Sequence, residues 1–348
     1  MLILGKAGLI LAIILTSFGV AAYATWGERK VAAVMQDRYG PNRAGPFGLL
    51  QPLADGLKLF MKEEIIPTNS TKFLFLLAPF LFMLTALMTS AVIPWGPDIT
   101  LPDGSAFSLQ VADVNIGILF VFGVVSLGVY GVMIGGWASN NKFSLLSSIR
   151  SASQSISYEL AMGISLIALL MLTGSLSLRE IAQQQHGFWD NNYFTWNFFK
   201  QPLGFLIFFV CSVAEMNRAP FDLAECDSEL NMGYHLEYSS MKLGLFLFAE
   251  YINMFIGSAV MVTLYFGSYN FPFMEAVAGA VPPLVYTLIC VGVFFAKITC
   301  MILLIMFIRW TLPRFRYDQL MNLGWKSLIP LALINMLITG ASILWIFK

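Results

Sequence analysis

Long apolar runs with almost no charge are the feature of this sequence that most constrains its fold. Several runs extend over roughly 18 to 25 residues without alternation of apolar and polar positions. In lipid, a backbone can satisfy its hydrogen bonds only within helices or within a closed barrel. Transmembrane strands are only about ten residues long and alternate in polarity, so these runs indicate helices. We predict an all-α integral membrane protein of about eight transmembrane helices.

The composition favours the same fold class. Of the 348 residues, 58% are hydrophobic and 11% are charged, whereas soluble domains average about 25% charged residues. Twenty Lys and Arg balance twenty Asp and Glu, so no net charge points to a nucleic acid or an acidic partner. The four cysteines form no C-x-x-C pair and the two histidines lie far apart. We therefore expect no zinc site, iron–sulfur cluster or disulfide framework in this chain.

The chain is predicted to be a single membrane domain, 1–348, with amphipathic and short helices in its inner loops. The predicted spans are about 3–26, 73–93, 115–136, 157–177, 199–216, 241–267, 281–310 and 328–347. The predicted inner loops are 27–72, 137–156, 217–240 and 311–327. Most Lys and Arg lie in these loops or beside them, and positive loops face the cytoplasm or its equivalent. Both termini are therefore expected on the outer side.

A few charged residues lie within or beside the predicted spans, namely Glu159, Glu215, Glu250 and Lys297. An ionised group in hydrocarbon costs roughly 2.5–3.5 kcal/mol on insertion scales, so it normally pairs or lines a polar cavity. From position alone, Glu159 and Glu215 are alternatively interfacial carboxylates near headgroup depth. A structural pair between Glu250 and Lys297 is the alternative to a proton or ion path through Glu250, and we favour the path.

The densest polar feature is the segment 215–229. It holds five carboxylates and one arginine: Glu215, Arg218, Asp222, Glu225, Asp227 and Glu229. Pro220 ends the preceding helix, and in a short following helix Asp222, Glu225 and Glu229 would share one face. The ordinary interpretation of such a run is a solvated acidic loop. Apolar neighbours at the membrane surface would lower the dielectric, so we expect raised, coupled pKa values in the loop carboxylates and a capacity to pass protons.

Several motifs resemble one protein family, in order along the chain. ERK at 28–30, DRYGPNRAGPFG at 37–48 and QPLAD at 51–55 resemble the first inner loop of the quinone-site membrane subunit of proton-pumping NADH:quinone oxidoreductase, respiratory complex I. Residues 214–230 resemble the acidic loop of that family. Further similar signatures are Ser157-Tyr158-Glu159, Ala249-Glu250-Tyr251 and LPRFRYDQL at 312–320. Together the matches cover nearly the whole chain.

The resemblance implies a subunit without a redox centre of its own, within a proton-translocating enzyme. It would form the mouth of a quinone tunnel and couple quinone reduction to proton translocation. The tunnel or its lining would include Arg29, Arg38, Asp55 and Arg218. Proton or electrostatic coupling would involve Glu159, Glu215, Glu225, Asp227, Glu229 and Glu250. Some relatives have Glu where this chain has Asp227, which keeps the charge but shortens its reach.

The resemblance also implies a setting for the chain. Quinone would be a substrate, while FMN and iron–sulfur clusters would belong to partner subunits of the membrane and hydrophilic arms. The expected location is a bacterial inner (plasma) membrane, with an organellar inner membrane as the alternative. The chain has no G-x-G-x-x-G or P-loop motif, so the sequence predicts no dinucleotide site of its own.

Two other functions remain open from the sequence. One is the homologous membrane subunit of a hydrogenase-, formate- or ferredoxin-linked ion pump. The other, less favoured, is a stand-alone proton-coupled transporter that uses the buried carboxylates. The bulky first loop and the long series of motifs argue against a transporter. The complete Gly-Pro-Asn-Arg loop and the Pro-Arg-Phe-Arg-Tyr-Asp segment resemble the quinone-linked members more closely.

Overall fold

Long α-helices make up most of the molecule. The structure is a computed structural model, and it describes residues 2–100, 106–186, 189–190, 193–224, 231–272 and 274–346. In chain order the helices are α1 (Leu2–Met35), α2 (Gln51–Phe60), α3 (Lys72–Thr89), α4 (Gly117–Ala138), α5 (Lys142–Thr173), α6 (Leu178–Gln184), α7 (Asn197–Lys200) and α8 (Pro202–Glu215). They continue with α9 (Ser240–Tyr265), α10 (Met274–Ala280), α11 (Pro283–Thr311), α12 (Tyr317–Asn322) and α13 (Ile329–Ile346).

The lengths and apolarity of these helices confirm the predicted all-α membrane fold class. Within the described residues, seven helices are long and apolar enough to cross a membrane. One of the seven combines α12 and α13 through a π-helical turn at Leu323–Leu328. The apolar helix α8 has 14 residues, which corresponds to about 21 Å of rise. It is therefore shorter than the hydrocarbon core of a typical bilayer.

Two helices depart from the predicted spans for identifiable reasons. Helix α5 begins at Lys142, although 137–156 is predicted to be an inner loop. The additional turns are rich in serine, and several of these serines are buried against the rest of the protein. Serine hydroxyls bond to the helix backbone, as Ser148 does to the Leu145 carbonyl at 2.8 Å. The predicted span 199–216 is divided at Gln201, because Pro202 starts a new helix at α8.

Glycines allow α3 and α4 to pack closely. A Cβ added at Gly131 would lie 2.9 Å from the Phe82 Cβ and 3.0 Å from the Phe82 backbone nitrogen. Gly128 and Gly135 lie on the same face of α4 and approach Thr85 and Phe246, respectively. Small residues at such crossings are typical of membrane helices, and here they explain the glycine spacing without a further role.

One end of the bundle carries two short hairpins and the start of α1. The hairpins pair β1 (Ile99–Thr100) with β2 (Ala106–Phe107), and β3 (Trp189–Asp190) with β4 (Tyr193–Phe194). The Lys6 ammonium donates to the Ser108 carbonyl at 3.1 Å and to the Ser108 hydroxyl at 3.0 Å. The N-terminal end of α1 therefore lies beside the α3–α4 connection, as the predicted topology requires. We call this the outer end and the opposite end, which carries α2, the inner end. Which membrane side each faces stays a prediction.

Lys297 stabilises the C-terminal end of α9. Its ammonium donates to the carbonyls of Phe266 at 2.7 Å, of Ser268 at 3.0 Å and of Asn270. It also lies 4.5 Å from the centre of the Trp196 ring. The last carbonyls of a helix carry partial negative charge, which favours a cation there. The structural pair of Glu250 with Lys297 considered from the sequence is therefore not formed, because backbone carbonyls occupy the lysine.

Candidate functional site

A groove opens at the inner end between α1, α2 and α9. It has a volume of about 360 Å³. Its polar lining consists of Thr25, Arg29, Asp55, Lys58 and Lys62, and its apolar lining includes Leu59, Leu247, Phe248 and Tyr251. An apolar groove of about 570 Å³ adjoins it and shares Gly56 and Phe248. The combined surface has a charged end and an apolar end, which suits an amphiphilic ligand.

Two of the predicted tunnel residues form an ion pair in this groove. The Arg29 guanidinium contacts the Asp55 carboxylate at 2.7 Å, and both side chains are partly exposed. The Gln51 amide donates to the other Asp55 oxygen at 3.1 Å. These two residues are four apart on α2 and therefore share one face of the helix. The pair joins the end of α1 to α2 and fixes the polar wall of the groove.

Arg38 lies apart from this pair. It is exposed, and its Nε donates to the Gln36 side chain at 2.7 Å. It does not line the groove in which Arg29 and Asp55 meet. The predicted tunnel role of Arg38 therefore stays a prediction.

A buried ion cluster lies next to the groove and centres on Glu28, which is 6% exposed. Its carboxylate pairs with Arg309 and lies 3.6 Å from an Nη of Arg218. The Tyr251 hydroxyl donates to Glu28 at 2.7 Å, and the Arg218 guanidinium lies 4.1 Å from the centre of the Tyr251 ring. Arg218, predicted to line the tunnel, is thus buried among groups from α1, α9 and α11. Since Tyr251 also lines the groove, the cluster forms part of its inner wall.

Sequence reasoning assigned Glu28 and Arg309 no role. Glu28 follows a long apolar run, where a single charge is ordinarily taken as the solvated end of a helix. Helix α1 continues to Met35, so Glu28 lies within the helix and faces the bundle. A longer estimate of α1 would have identified Glu28 as a charge that requires partners.

Two predicted coupling residues meet in a second cavity, of about 80 Å³, between the helices. Glu159 and Glu215 both line it. Its other polar lining residues are Thr85, Thr89, Ser151, Ser155, Ser212, Asn217 and Asn253. This volume and polarity are sufficient for a few water molecules. We call it the carboxylate cavity.

The two carboxylates in this cavity have few partners. Ser126 donates to a Glu159 oxygen at 3.0 Å. The Oε2 of Glu215 is buried without a hydrogen-bond partner in the described part of the chain. Among the ion pairs between described residues, none involves Glu159 or Glu215. A buried carboxylate without a cation nearby responds strongly to any change in the surrounding charge.

Glu250 lies close to this cavity on α9. It is 3% exposed and accepts a hydrogen bond from the Tyr234 hydroxyl at 3.0 Å. Tyr234 belongs to the short helical turn Gly233–His235 that precedes α9. Asn253, three residues further along α9, lines the carboxylate cavity. Residues at this spacing are neighbours on a helix, so Glu250 lies one turn from the cavity wall.

Three predicted coupling residues, Glu225, Asp227 and Glu229, lie outside the described residues, so their role stays a prediction. Asp222, just before them, is buried and contacts Arg314 at 3.2 Å. The ordinary interpretation of the acidic segment as wholly solvated therefore does not apply to its first part.

Comparisons with known proteins agree with these features. A family model described as NADH dehydrogenase matches residues 8–340. An H subunit of NADH-quinone oxidoreductase from Cytophaga hutchinsonii is 60% identical over 342 residues, 98% of this chain and 97% of that protein. The corresponding protein of Flavobacterium johnsoniae, with the same name, is 57% identical, over 98% of this chain and 96% of its own length. That of Flavobacterium psychrophilum is 56% identical over 99% of this chain and 98% of its own length.

Proposed function

Because the chain belongs to the H-subunit family of NADH-quinone oxidoreductase, respiratory complex I, we propose that it forms the mouth of the quinone tunnel and couples quinone reduction to proton translocation. The observation that carries this proposal is the arrangement at the inner end. A groove with one charged and one apolar end adjoins the buried Glu28 cluster. Arg218 of that cluster directly follows Asn217 in the wall of the carboxylate cavity.

The groove has the chemistry that a quinone requires. A quinone has a polar headgroup and an isoprenoid tail, so it needs a few polar groups beside a long apolar surface. The ion pair of Arg29 and Asp55 supplies the polar groups. Phe18, Leu53, Leu57 and Phe60 supply part of the apolar surface. The tail would lie in the apolar groove while the headgroup passes the ion pair towards the interior of the complex.

The electrons for quinone reduction would come from partner subunits. FMN and the iron–sulfur clusters of the enzyme belong in this proposal to other chains, and quinone is the substrate. Reduction to quinol takes up electrons and protons, so the charge near the tunnel changes during turnover. Two unit charges about 10 Å apart interact by roughly 1–2 kcal/mol at an effective dielectric constant of about 20. An energy of this size shifts the protonation of a carboxylate by about a factor of ten.

Glu159 and Glu215 are the groups best suited to respond to that change. They line a polar cavity and form no ion pair within the described residues that would hold their charge fixed. Glu250 would extend the path along α9, and Glu225, Asp227 and Glu229 would supply its entrance. Protons taken up or released by these groups would be passed to partner subunits of the membrane arm.

The chain is a multi-pass membrane protein, and we propose a bacterial inner membrane as its location because the similar relatives are bacterial subunits. Helix α2 would lie at the inner bilayer surface. It exposes Leu53, Leu57 and Phe60 on its apolar face. Its lysines, Lys58 and Lys62, would lie at headgroup depth.

A photoreactive quinone in the assembled complex tests the tunnel mouth. Illumination should label peptides within residues 18–62 and 244–251, and excess unlabelled quinone should prevent the labelling. Asp55→Ala should reduce the yield, whereas Lys326→Gln, at an exposed lysine elsewhere on the surface, should leave it unchanged. Labelling that is confined to the hairpin end of the bundle, or absent from this chain, would contradict a quinone path through the groove.

A further inference from the structure

The connection between α11 and α12 contacts the loop that follows α8. Arg314 pairs with the carboxylate of Asp222 at 3.2 Å, and Asp222 is only 4% exposed. The Phe315 backbone N–H donates to the Pro220 carbonyl at 3.3 Å. The rings of Phe315 and Phe221 lie 5.6 Å apart. An ion pair, a backbone hydrogen bond and a ring contact thus join two segments that are far apart in sequence.

Helix α5 holds the same loop from the other side. The Gln154 amide donates to the carbonyl of Ala214 at 2.8 Å and to that of Phe221 at 2.7 Å. Gln154 is fully buried, and Tyr158 on the same helix packs its ring 5.5 Å from Phe221. Residues 217–224 form no regular helix, so side chains from α5 and from the α11–α12 connection determine where the loop lies.

The position of this loop defines one wall of the carboxylate cavity. Ala214 immediately precedes Glu215, and Asn217 begins the loop, and both Glu215 and Asn217 line the cavity. A displacement of the loop would therefore move Glu215 relative to Glu159 on α5. Because charge interactions change with separation, such a displacement alters the energy of ionising both groups.

The inner end of α11 also reaches the groove. Arg309 pairs with Glu28, which precedes Arg29, a residue of the groove wall. Arg309 and Arg314 lie on one short stretch of chain, five residues apart. The stretch therefore binds a residue beside the groove at one point and a residue of the cavity loop at the other.

We propose that Arg314 is a positioning residue, which holds the loop after α8 against α5 and so transmits movements of the inner end of α11 to the carboxylate cavity. This inference rests on the proposed function, because it assigns a mechanical link between the groove and the cavity. Asp222 is buried, so loss of Arg314 leaves a carboxylate that favours water over its present site. The loop would then populate released positions that the ion pair now disfavours.

Three variants of the assembled complex test this link: Arg314→Gln, Arg314→Lys and, as a control, Lys326→Gln. A hydrogen bond to a charged group changes an equilibrium on the order of tenfold. Arg314→Gln should therefore speed amide hydrogen exchange in residues 217–224 on the order of tenfold. It should also lower the number of protons translocated per NADH oxidised, while the KM for quinone stays unchanged. Arg314→Lys keeps the charge and should restore most of the proton ratio, and Lys326→Gln should match the unmodified complex.

Two results would overturn the proposal. One is an unmodified proton ratio and unmodified exchange in Arg314→Gln. The other is a loss of quinone reduction with a normal proton ratio that Arg314→Lys does not restore, which indicates a merely structural residue. If Arg314→Gln prevents assembly, Arg314→Lys decides the question, since its longer reach to Asp222 should still speed exchange measurably. Failure of the tunnel itself would be recognised separately, by absent quinone labelling with normal exchange effects at 217–224.

Discussion

The groove and the carboxylate cavity use charge in opposite ways. In the groove, Arg29 and Asp55 are partly exposed and neutralise one another at 2.7 Å. In the cavity, Glu159 and Glu215 are largely enclosed and form no ion pair with any described residue. The groove is large enough for part of an organic ligand, whereas the cavity has room only for a few waters.

This difference indicates a division of roles. A paired charge keeps its protonation state and presents a fixed dipole, which is useful for orienting a ligand. An unpaired, buried carboxylate lies near the balance between its charged and neutral forms, which is useful for a group that must respond. The Glu28 cluster lies between the two, and its arginines hold the charge of Glu28 constant. We therefore expect binding defects from changes in the groove and coupling defects from changes in the cavity.

The largest effect should come from Glu215→Gln. Glutamine keeps the size of the side chain and removes the charge. We expect NADH:quinone reduction to fall on the order of tenfold, since a change of 1.4 kcal/mol in an electrostatic interaction corresponds to that factor. Electron transfer to an artificial acceptor upstream of quinone should be unaffected. Glu180→Gln is the matched control, because Glu180 is exposed at the outer end and bonds only locally to Ser175. Normal quinone reduction in Glu215→Gln would break the comparison.

A smaller effect is expected from Asp55→Ala in the groove. The variant leaves Arg29 without its partner, and we expect the KM for quinone to rise about fivefold, which corresponds to ~1 kcal/mol. The free energy of unfolding should change little, because partly exposed ion pairs contribute less than about 1 kcal/mol. Steady-state kinetics over a range of quinone concentrations checks the split between KM and kcat. A fall in kcat with an unchanged KM would assign Asp55 to coupling instead.

Arg38→Ala sharpens the same comparison. Arg38 is predicted from the resemblance to lie along the tunnel, yet its side chain is exposed and contacts Gln36 outside the groove. From this geometry we expect a smaller rise in quinone KM than in Asp55→Ala, about twofold or less. An effect as large as that of Asp55→Ala would extend the quinone path to the exposed loop.

The smallest effect should come from Ser126→Ala, which removes the hydrogen bond to Glu159. A neutral donor of this kind contributes about 0.5–1.5 kcal/mol. Quinone reduction should fall about threefold or less. Ser126→Thr keeps the hydroxyl and should retain more of the activity than Ser126→Ala, in parallel measurements on equally assembled complexes. Equal losses in both variants would point to packing at Ser126 instead of the hydrogen bond.

The helical architecture could be predicted from the sequence because each long apolar run is a local signal. The start of α5 was missed because its serines lower the hydropathy, although they bond to their own backbone and pack inside the protein. The break at Gln201 is a turn signal, Pro202, that a window average conceals. Helix boundaries depend on such local chemistry more than on mean hydropathy.

The candidate site could be predicted only in part, for a related reason. Glu159 and Glu215 are visible as charges at the ends of apolar runs, and the structure places them in one cavity. The partners of a buried charge depend on tertiary packing, which no pattern of spacing reveals. Lys297 was considered as a partner of Glu250 and instead binds backbone carbonyls. Glu28 received no role, although it binds groups from three other parts of the chain.

The most direct test of the division between groove and cavity is the number of protons translocated per NADH oxidised. It should be measured side by side for Asp55→Ala and Glu215→Gln in vesicles that contain equal amounts of assembled complex. We predict that Asp55→Ala slows turnover at low quinone and keeps the unmodified proton ratio. Glu215→Gln should lower both the rate and the ratio at every quinone concentration. An unmodified ratio in Glu215→Gln, or a lowered ratio in Asp55→Ala, would contradict the assignment of binding to the groove and coupling to the cavity.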